Sequence, residues 1–322
     1  MADVYATTNT VLNYSGLLFD TGDNETPLLN AFARKSVNHD RFPITVDYAS
    51  GVASQPEISE KASLTAPDAA IVTRAQTYNV TQIFHKATAV SYKKLSNMGA
   101  MSGLNIADQS AAIQNELDFQ VGVKMQEMRN DVEYTIINGK YAESTSDDTA
   151  NTTRGLLEAV HANNIVKVTE NKELTPDIVG DLIQKIYDAN GSTSGLVLVV
   201  SAIQKRQLSK YFSKENGFLL PNSRTVGGVA IDEIVTDFGT IGVMLHKKIP
   251  NGTVLLMNPS VCQLVEQPTP GKGNFFYEEL ARTGAGIKGQ LFGQLGVDHG
   301  PSWYHAKATG LATTYTPKSY ID

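Results

Sequence analysis

The chain has 322 residues, 41% of them hydrophobic and 19% charged, with a formal charge of −6 and a single cysteine, Cys262. That length can bury a real core of two or three subdomains. The lone cysteine rules out the intrachain disulfides of a stapled secreted domain, and the acidic balance with no Lys/Arg block offers, in sequence, no basic face for wrapping nucleic acid by counterion release, although a fold could gather scattered Lys and Arg. Met1-Ala2-Asp3-Val4 carries neither a basic nor an apolar leader region, and no apolar run reaches the ~18 residues of a membrane span, so folding in a reducing cytoplasm is expected.

Residues 1–41 read as an arm. Short apolar clumps, Val11-Leu12, Leu17-Leu18-Phe19 and Leu28-Leu29, alternate with Asn, Asp, Thr and Gly. Such a segment builds no core and needs another surface to lie on. Residues 42–90 read as one long hairpin. Phe42, Ile44, Val46 and Tyr48 alternate on the rising strand, and a Val-, Ile-, Thr- and Tyr-rich run from about Ile71 to Val90 returns. Its tip, 50–68, is polar. A hairpin this long is not stable in isolation, so it is expected to project toward another subunit.

Asn105–Asn138 is proline-free, with apolar residues at Ile106, Ile113, Leu117, Val121, Met125, Met128, Val132 and Ile136. The steps of three, four or seven make one helical stripe on a rod of roughly 50 Å. Asn138-Gly139 supplies a stop, with glycine placed for a left-handed residue. After a polar stretch at 143–153, Thr153-Arg154-Gly155-Leu156 opens a new element. Thr175-Pro176-Asp177 starts a helix with proline in the first turn. Its buried face is Ile178, Val179, Leu182, Ile183, Ile186 and Tyr187, and Asn190-Gly191 stops it. Leu196–Val200 is a fully apolar strand, Ser201 caps a second helix bearing Ile203, Leu208, Tyr211 and Phe212, and 226–265 is strand-rich. Tyr277–Arg282 reads as a short helix, Ile287–Val297 as a glycine-punctuated strand, and the last dozen residues as a loose tail.

Catalytic patterns find no support. Phe19-Asp20-Thr21-Gly22 matches an aspartic-protease loop, but the chemistry needs two such carboxylates and the chain has one copy. Gly284-Ala285-Gly286-Ile287-Lys288-Gly289 has dinucleotide-fingerprint spacing, yet a strand pattern follows where a helix is required. Asp237-Phe238-Gly239 stands without the other kinase motifs. His39, His85, His161, His246, His299 and His305 form no metal-ligand spacing. No catalytic, cofactor-binding or metal-binding residue is assigned, and no cofactor is expected.

The order of arm, projecting hairpin, long helix and α/β lobe resembles the major capsid proteins of tailed bacteriophages with the Hong Kong-type shell fold. Three segments carry the likeness: Thr26-Pro27-Leu28-Leu29 in the arm, Thr153-Arg154-Gly155-Leu156, and Glu279-Leu280-Ala281-Arg282-Thr283-Gly284. The resemblance implies an α+β fold with an N-terminal arm at 1–41 and an extended β-hairpin loop at 42–90. It implies a peripheral domain at 91–170 with a spine helix at 105–138, and an α/β axial domain at 171–262. A return to the peripheral domain would occupy 263–310, with a C-terminal tail at 311–322. It further implies a non-enzymatic subunit that assembles into pentamers and hexamers of an icosahedral shell. The implied partners are its own copies, a separate scaffolding protein, a portal, and double-stranded DNA held without sequence recognition, with no membrane contact. The implied location is the virion, assembled in the host bacterial cytoplasm. The alternatives are an encapsulin-like nanocompartment shell, a dimeric aspartic-type protease using Asp20, and a tail or baseplate protein.

Overall fold

The computed structural model describes residues 25–48, 53–66, 71–93, 116–169, 171–215, 223–226 and 229–316. Asp20 and the hairpin ends at 49–52 and 67–70 lie outside the described residues, as do the first turns expected for the long helix.

Two sheets organise the chain. In the five-stranded one, β13 (Gly286–Asp298) is the spine of the layer. The strand β4 (Gln82–Ser91) runs antiparallel along one edge of β13; β12 (Phe275–Glu279) and β11 (Gln263–Glu266) share the other. A short strand of the arm, β1 (Ala33–Ser36), adds to β11 in parallel. The seven-stranded sheet has the order β5-β14-β10-β6-β9-β8-β7. Its members are β5 (Ile165–Lys167), β6 (Val197–Val200), β7 (Ser223–Val226), β8 (Val229–Thr236), β9 (Gly239–Leu245), β10 (Thr253–Met257) and β14 (Ala306–Thr309). A third, two-stranded ribbon pairs β2 (Arg41–Tyr48) with β3 (Arg74–Val80).

The long helix, α3, is described over Glu116–Asn138, about 35 Å. Its stripe is buried most deeply at Met128, Val132 and Ile136, joined by Ile137. These side chains share one core cluster with Val197, Val199, Met244 and Leu255 of the seven-stranded sheet and with Leu264, Leu291 and Leu295 of the five-stranded one. The C-terminal half of the helix is thus wedged between both sheets, and a single helical turn, α4 (Leu156–Ala159), comes next in the chain. The opposite face of the seven-stranded sheet packs against Leu182, Ile183 and Ile186 of α5 (Pro176–Asp188) and Leu208 of α6 (Ala202–Glu215).

Several sequence-based expectations are corrected. The run from Ile71 to Val90 is two strands. At Thr81 its backbone N–H turns to Asp40 O (2.7 Å), and beyond that point β4 leaves the ribbon to pair with β13. Tyr277–Arg282 is not helical: Phe275–Glu279 is a strand. Phe275 and Tyr277 lay their rings over Gly293 and Gly289 of β13, where any Cβ would overlap them. Glycine punctuation and aromatic strand are therefore two halves of one packing device. The rejected dinucleotide motif runs from the turn between these two strands into the start of β13.

Gly139 does not adopt a left-handed conformation; the positive-φ residue at a helix end is Asn190 (φ 58°) after α5. Tyr187 is 63% exposed instead of buried. Ser201 sends its hydroxyl to Oε1 of Gln204. The run expected to return to the layer of the long helix ends elsewhere: β14 lies between β10 and β5 in the seven-stranded sheet. Nor is the described part of the tail loose. Gln207 Nε2 donates to Ala312 O (3.1 Å) and Thr314 O (2.9 Å), strapping 311–316 across α6.

Candidate functional site: arm anchor and ribbon root

The arm docks through α1 (Pro27–Ala31), whose first position is proline. The next two N–H groups of a helix normally need a capping side chain, and Thr26 makes no such bond. Glu133 of α3 supplies it from across the core. Leu28 N donates to Glu133 Oε1 (2.9 Å) and Leu29 N to Oε2 (2.8 Å). His246 Nε2 also meets Oε1, at 2.7 Å. Lys248 N donates to His246 Nδ1 (3.1 Å), which leaves Nε2 to carry the proton toward Glu133. Glu133 is 0% exposed, so its charge is tolerated only because three donors converge on it. Around this centre Arg129 reaches Thr26 Oγ1 (3.3 Å) and Asn30 Oδ1 (3.1 Å), and Lys248 Nζ reaches Glu25 O (3.1 Å). Residues 25–36 therefore find on their own chain the surface that the arm was expected to need. The sequence did hold a signal. Ile137 widens the apolar stripe, and Glu133, four residues earlier, falls on that same face.

A second polar centre fixes the base of the ribbon. Asn79 is 0% exposed and uses its entire hydrogen-bonding capacity. Nδ2 donates to Val297 O (2.7 Å) and Arg154 O (3.1 Å). Oδ1 accepts from Arg154 N (2.8 Å) and Val80 N (2.9 Å). Thr153 Oγ1 accepts from Val297 N (3.1 Å), and the Arg154 guanidinium lies 4.7 Å from the centre of the Tyr141 ring. Gly155 N donates to Gly139 O (2.9 Å); a Cβ on Gly155 would come within 2.6 Å of Gly139 N and Thr135 O. The Thr153-Arg154-Gly155-Leu156 motif is thus explained by close backbone approach at the end of α3 and by the clamp on Asn79. The bound on Gly139 is likewise contact and not φ.

Beyond its root the ribbon offers apolar side chains to solvent: Val46, Tyr48, Ile58, Leu64 (85% exposed), Ile71 (91%) and Val72. Ser59 caps a single helical turn there, α2 (Glu60–Ser63). Exposed apolar side chains are the kind of surface that protein contacts use.

The buried chemistry elsewhere is inert. Cys262 Sγ lies 4.0 Å from His305 Nε2, but that nitrogen is engaged with His299 O at 2.6 Å. Burial, reinforced by Asp298, pushes the Cys262 thiol well above its usual range, so no thiolate forms. Burial holds His305 down to about 4. Burial and then His305 hold His299 down to about 3. Both rings stay neutral near pH 7, and neither His299 nitrogen has a hydrogen-bond partner among the described residues. Also among the described residues, no group of three or more His, Cys, Asp or Glu side chains is placed to hold a metal, and no helix is long and apolar enough to cross a membrane. His246 is absorbed by the arm anchor, and His39, His85 and His161 are exposed.

Comparison with known proteins agrees with this architecture. The family model described as SU10 major capsid protein matches residues 2–312. No curated protein sequence matches significantly. Among solved structures, the holo-SrpI encapsulin complex from Synechococcus elongatus is 13% identical, with a TM-score of 0.64 and 97% of each chain covered. The capsid of cyanophage A-1(L) is 12% identical, with a TM-score of 0.62 over 96% of this chain and 99% of that one. The capsid of the native GTA particle is 13% identical, with a TM-score of 0.60 over 95% and 97%. At such identities the structures establish the fold, and the family match separates phage capsid from encapsulin. The chain belongs to the SU10 major capsid protein family and is a phage major capsid protein of the Hong Kong-type fold.

Proposed function

We propose that this subunit closes into rings of five and six and tiles an icosahedral shell around double-stranded DNA. The observation that carries this reading is the ribbon, an element that leaves apolar side chains exposed to solvent and is fixed to the body by a hydrogen-bonded root. Ring contacts are heterologous: one edge of a subunit meets a different edge of the next, and rotation closes the set. Many weak contacts made at once give the shell its avidity. The acidic net charge suits a container that holds DNA without gripping it. A separate scaffolding protein and a portal belong to this reading, as do assembly in the bacterial cytoplasm and a role without catalysis. The extended loop would be residues 42–80, ending where β4 joins the sheet of its own chain, and would span from one subunit to the next, with 91–170 as the peripheral domain and 171–262 as the axial domain.

Deleting residues 53–66 tests the proposal. The deletion is expected to leave a folded, soluble subunit that forms no stable shells. Normal shells from it would remove the ribbon from the assembly contact.

A further inference from the structure

The ribbon has one irregularity, and it sits directly above the clamped root. From Arg41↔Val80 to Pro43↔Tyr78 the pairing is regular, and from Thr45↔Thr77 to Tyr48↔Arg74 it is regular again. Ile44 is the one extra residue between these two stretches. A bulge of this kind bends and twists its strand and leaves the ladder locally unpaired. Pro43 beside it has no N–H to give to the ladder, which weakens the pairing at the same place. Below the bulge nothing is free to turn. Phe42 is buried, and its ring fills the space over Gly296 that a side chain would need. Asn79 opposite has all four of its hydrogen-bonding positions occupied. Above the bulge, Val46 and Tyr48 are exposed. Stiff base, interrupted ladder and free outer segment are the parts of a hinge.

We infer that the Pro43–Ile44–Thr45 bulge is the joint at which the ribbon bends, above a root fixed by Asn79, so that one sequence reaches its neighbour in both five- and six-membered rings. The part about rings rests on the proposed function; the joint itself does not. Asn79 acts here as a positioning residue, setting the direction from which the bend starts. Deleting Ile44 is an unusually clean test. It joins Pro43 to Thr45 and leaves every other pairing partner and face unchanged.

The joint is read in the isolated subunit by spin-label distances. One label goes on Asp47→Cys beyond the bulge and one on Lys140→Cys on the body. The only native thiol, Cys262, is buried and unreactive. Distances in the otherwise unchanged chain are expected to spread at least twice as widely as in the Ile44 deletion. Ile44→Gly keeps the extra residue, removes a half-exposed side chain and is expected to widen the spread further. It decides the matter if the deletion does not fold. Equal widths in all folded forms overturn the joint. Electron microscopy then reads assembly. Where the unchanged chain makes closed shells, the deletion is expected to yield open sheets or a single ring type, with closed shells at least tenfold fewer. Closed shells of unchanged diameter and yield would overturn the link between bend and ring size. If the unchanged chain makes only a discrete small oligomer, the proposed function fails while the spin-label result stands.

Discussion

Glu133 and His246 meet at 2.7 Å in the core, and the arm hangs on that pair. Leu28 and Leu29 give their backbone N–H groups to the same carboxylate, so one side chain joins the arm, the long helix and the strand end after β9. Glu133→Ala strands three donors in the interior. A loss of about 3–5 kcal/mol is expected, by the usual cost of breaking a buried charged network. Glu133→Gln keeps one acceptor and is expected to lose less, about 2 kcal/mol. Urea denaturation measures both. Limited proteolysis in 25–36 should rise in step, because the arm leaves its anchor before the core unfolds.

Gly155 faces Gly139 with no room for a methyl group. The neighbours that a Cβ would strike are backbone atoms, which cannot swing aside. Gly155→Ala is expected to cost roughly 3 kcal/mol or more, at the upper end of overpacking effects. A shift in thermal midpoint and a drop in soluble yield check it. Gly122, on an open stretch of α3, is the control, where alanine is expected to be neutral or slightly stabilising.

Acid should weaken the subunit through His299 and His305. Both have folded-state values depressed by burial, to about 3 and about 4, below the ordinary imidazole value near 6.5. The unfolded chain therefore binds more protons between those limits. Stability is full above about pH 6.5 and falls as pH drops toward the folded values. From pH 7 to pH 5 the pair is expected to remove about 3–4 kcal/mol. His299→Leu breaks no hydrogen bond among the described residues and should roughly halve this pH dependence. Chemical denaturation at the two pH values reads both effects.

The strap over α6 is structural. Gln207 accepts from Leu174 N (3.0 Å) through Oε1 and donates twice to the 311–316 segment through Nε2. Gln207→Ala takes one partner each from the buried Leu174 N and Ala312 O and from the less buried Thr314 O. It is expected to cost about 2–3 kcal/mol. Thermal unfolding measures the loss, and a smaller change would mean that the strap contributes little.

Much of this was legible in the sequence, for physical reasons. The α3 stripe could be read because Val121, Met125, Met128, Val132 and Ile136 repeat at helical spacing. The start of α5 could be read because Thr175 and Pro176 act locally, the Thr175 hydroxyl accepting from Ile178 N. What escaped depended on partners far along the chain. Phe275–Glu279 became a strand because β13 offers glycine gaps, Gly289 and Gly293, to its rings from farther along the chain. The break at Thr81 was set by competition between β2 and β13 for one run of residues. Glu133 sat among hydrophobic neighbours with no local sign of the two backbone N–H groups, some 105 residues earlier, that it would cap. Gly139 was read as a helix stop and Gly155 as part of the segment that opens the next element, but only the fold shows them touching.

The central claim is a closed shell built from one sequence, with contacts made through the ribbon. Electron microscopy of the full-length protein, expressed with its assembly partners, tests it most directly. Hollow icosahedral particles containing rings of both five and six are expected, with density for residues 46–72 of each subunit lying on an adjacent copy. A uniform small dimer, or shells in which that density folds back onto its own subunit, would contradict it.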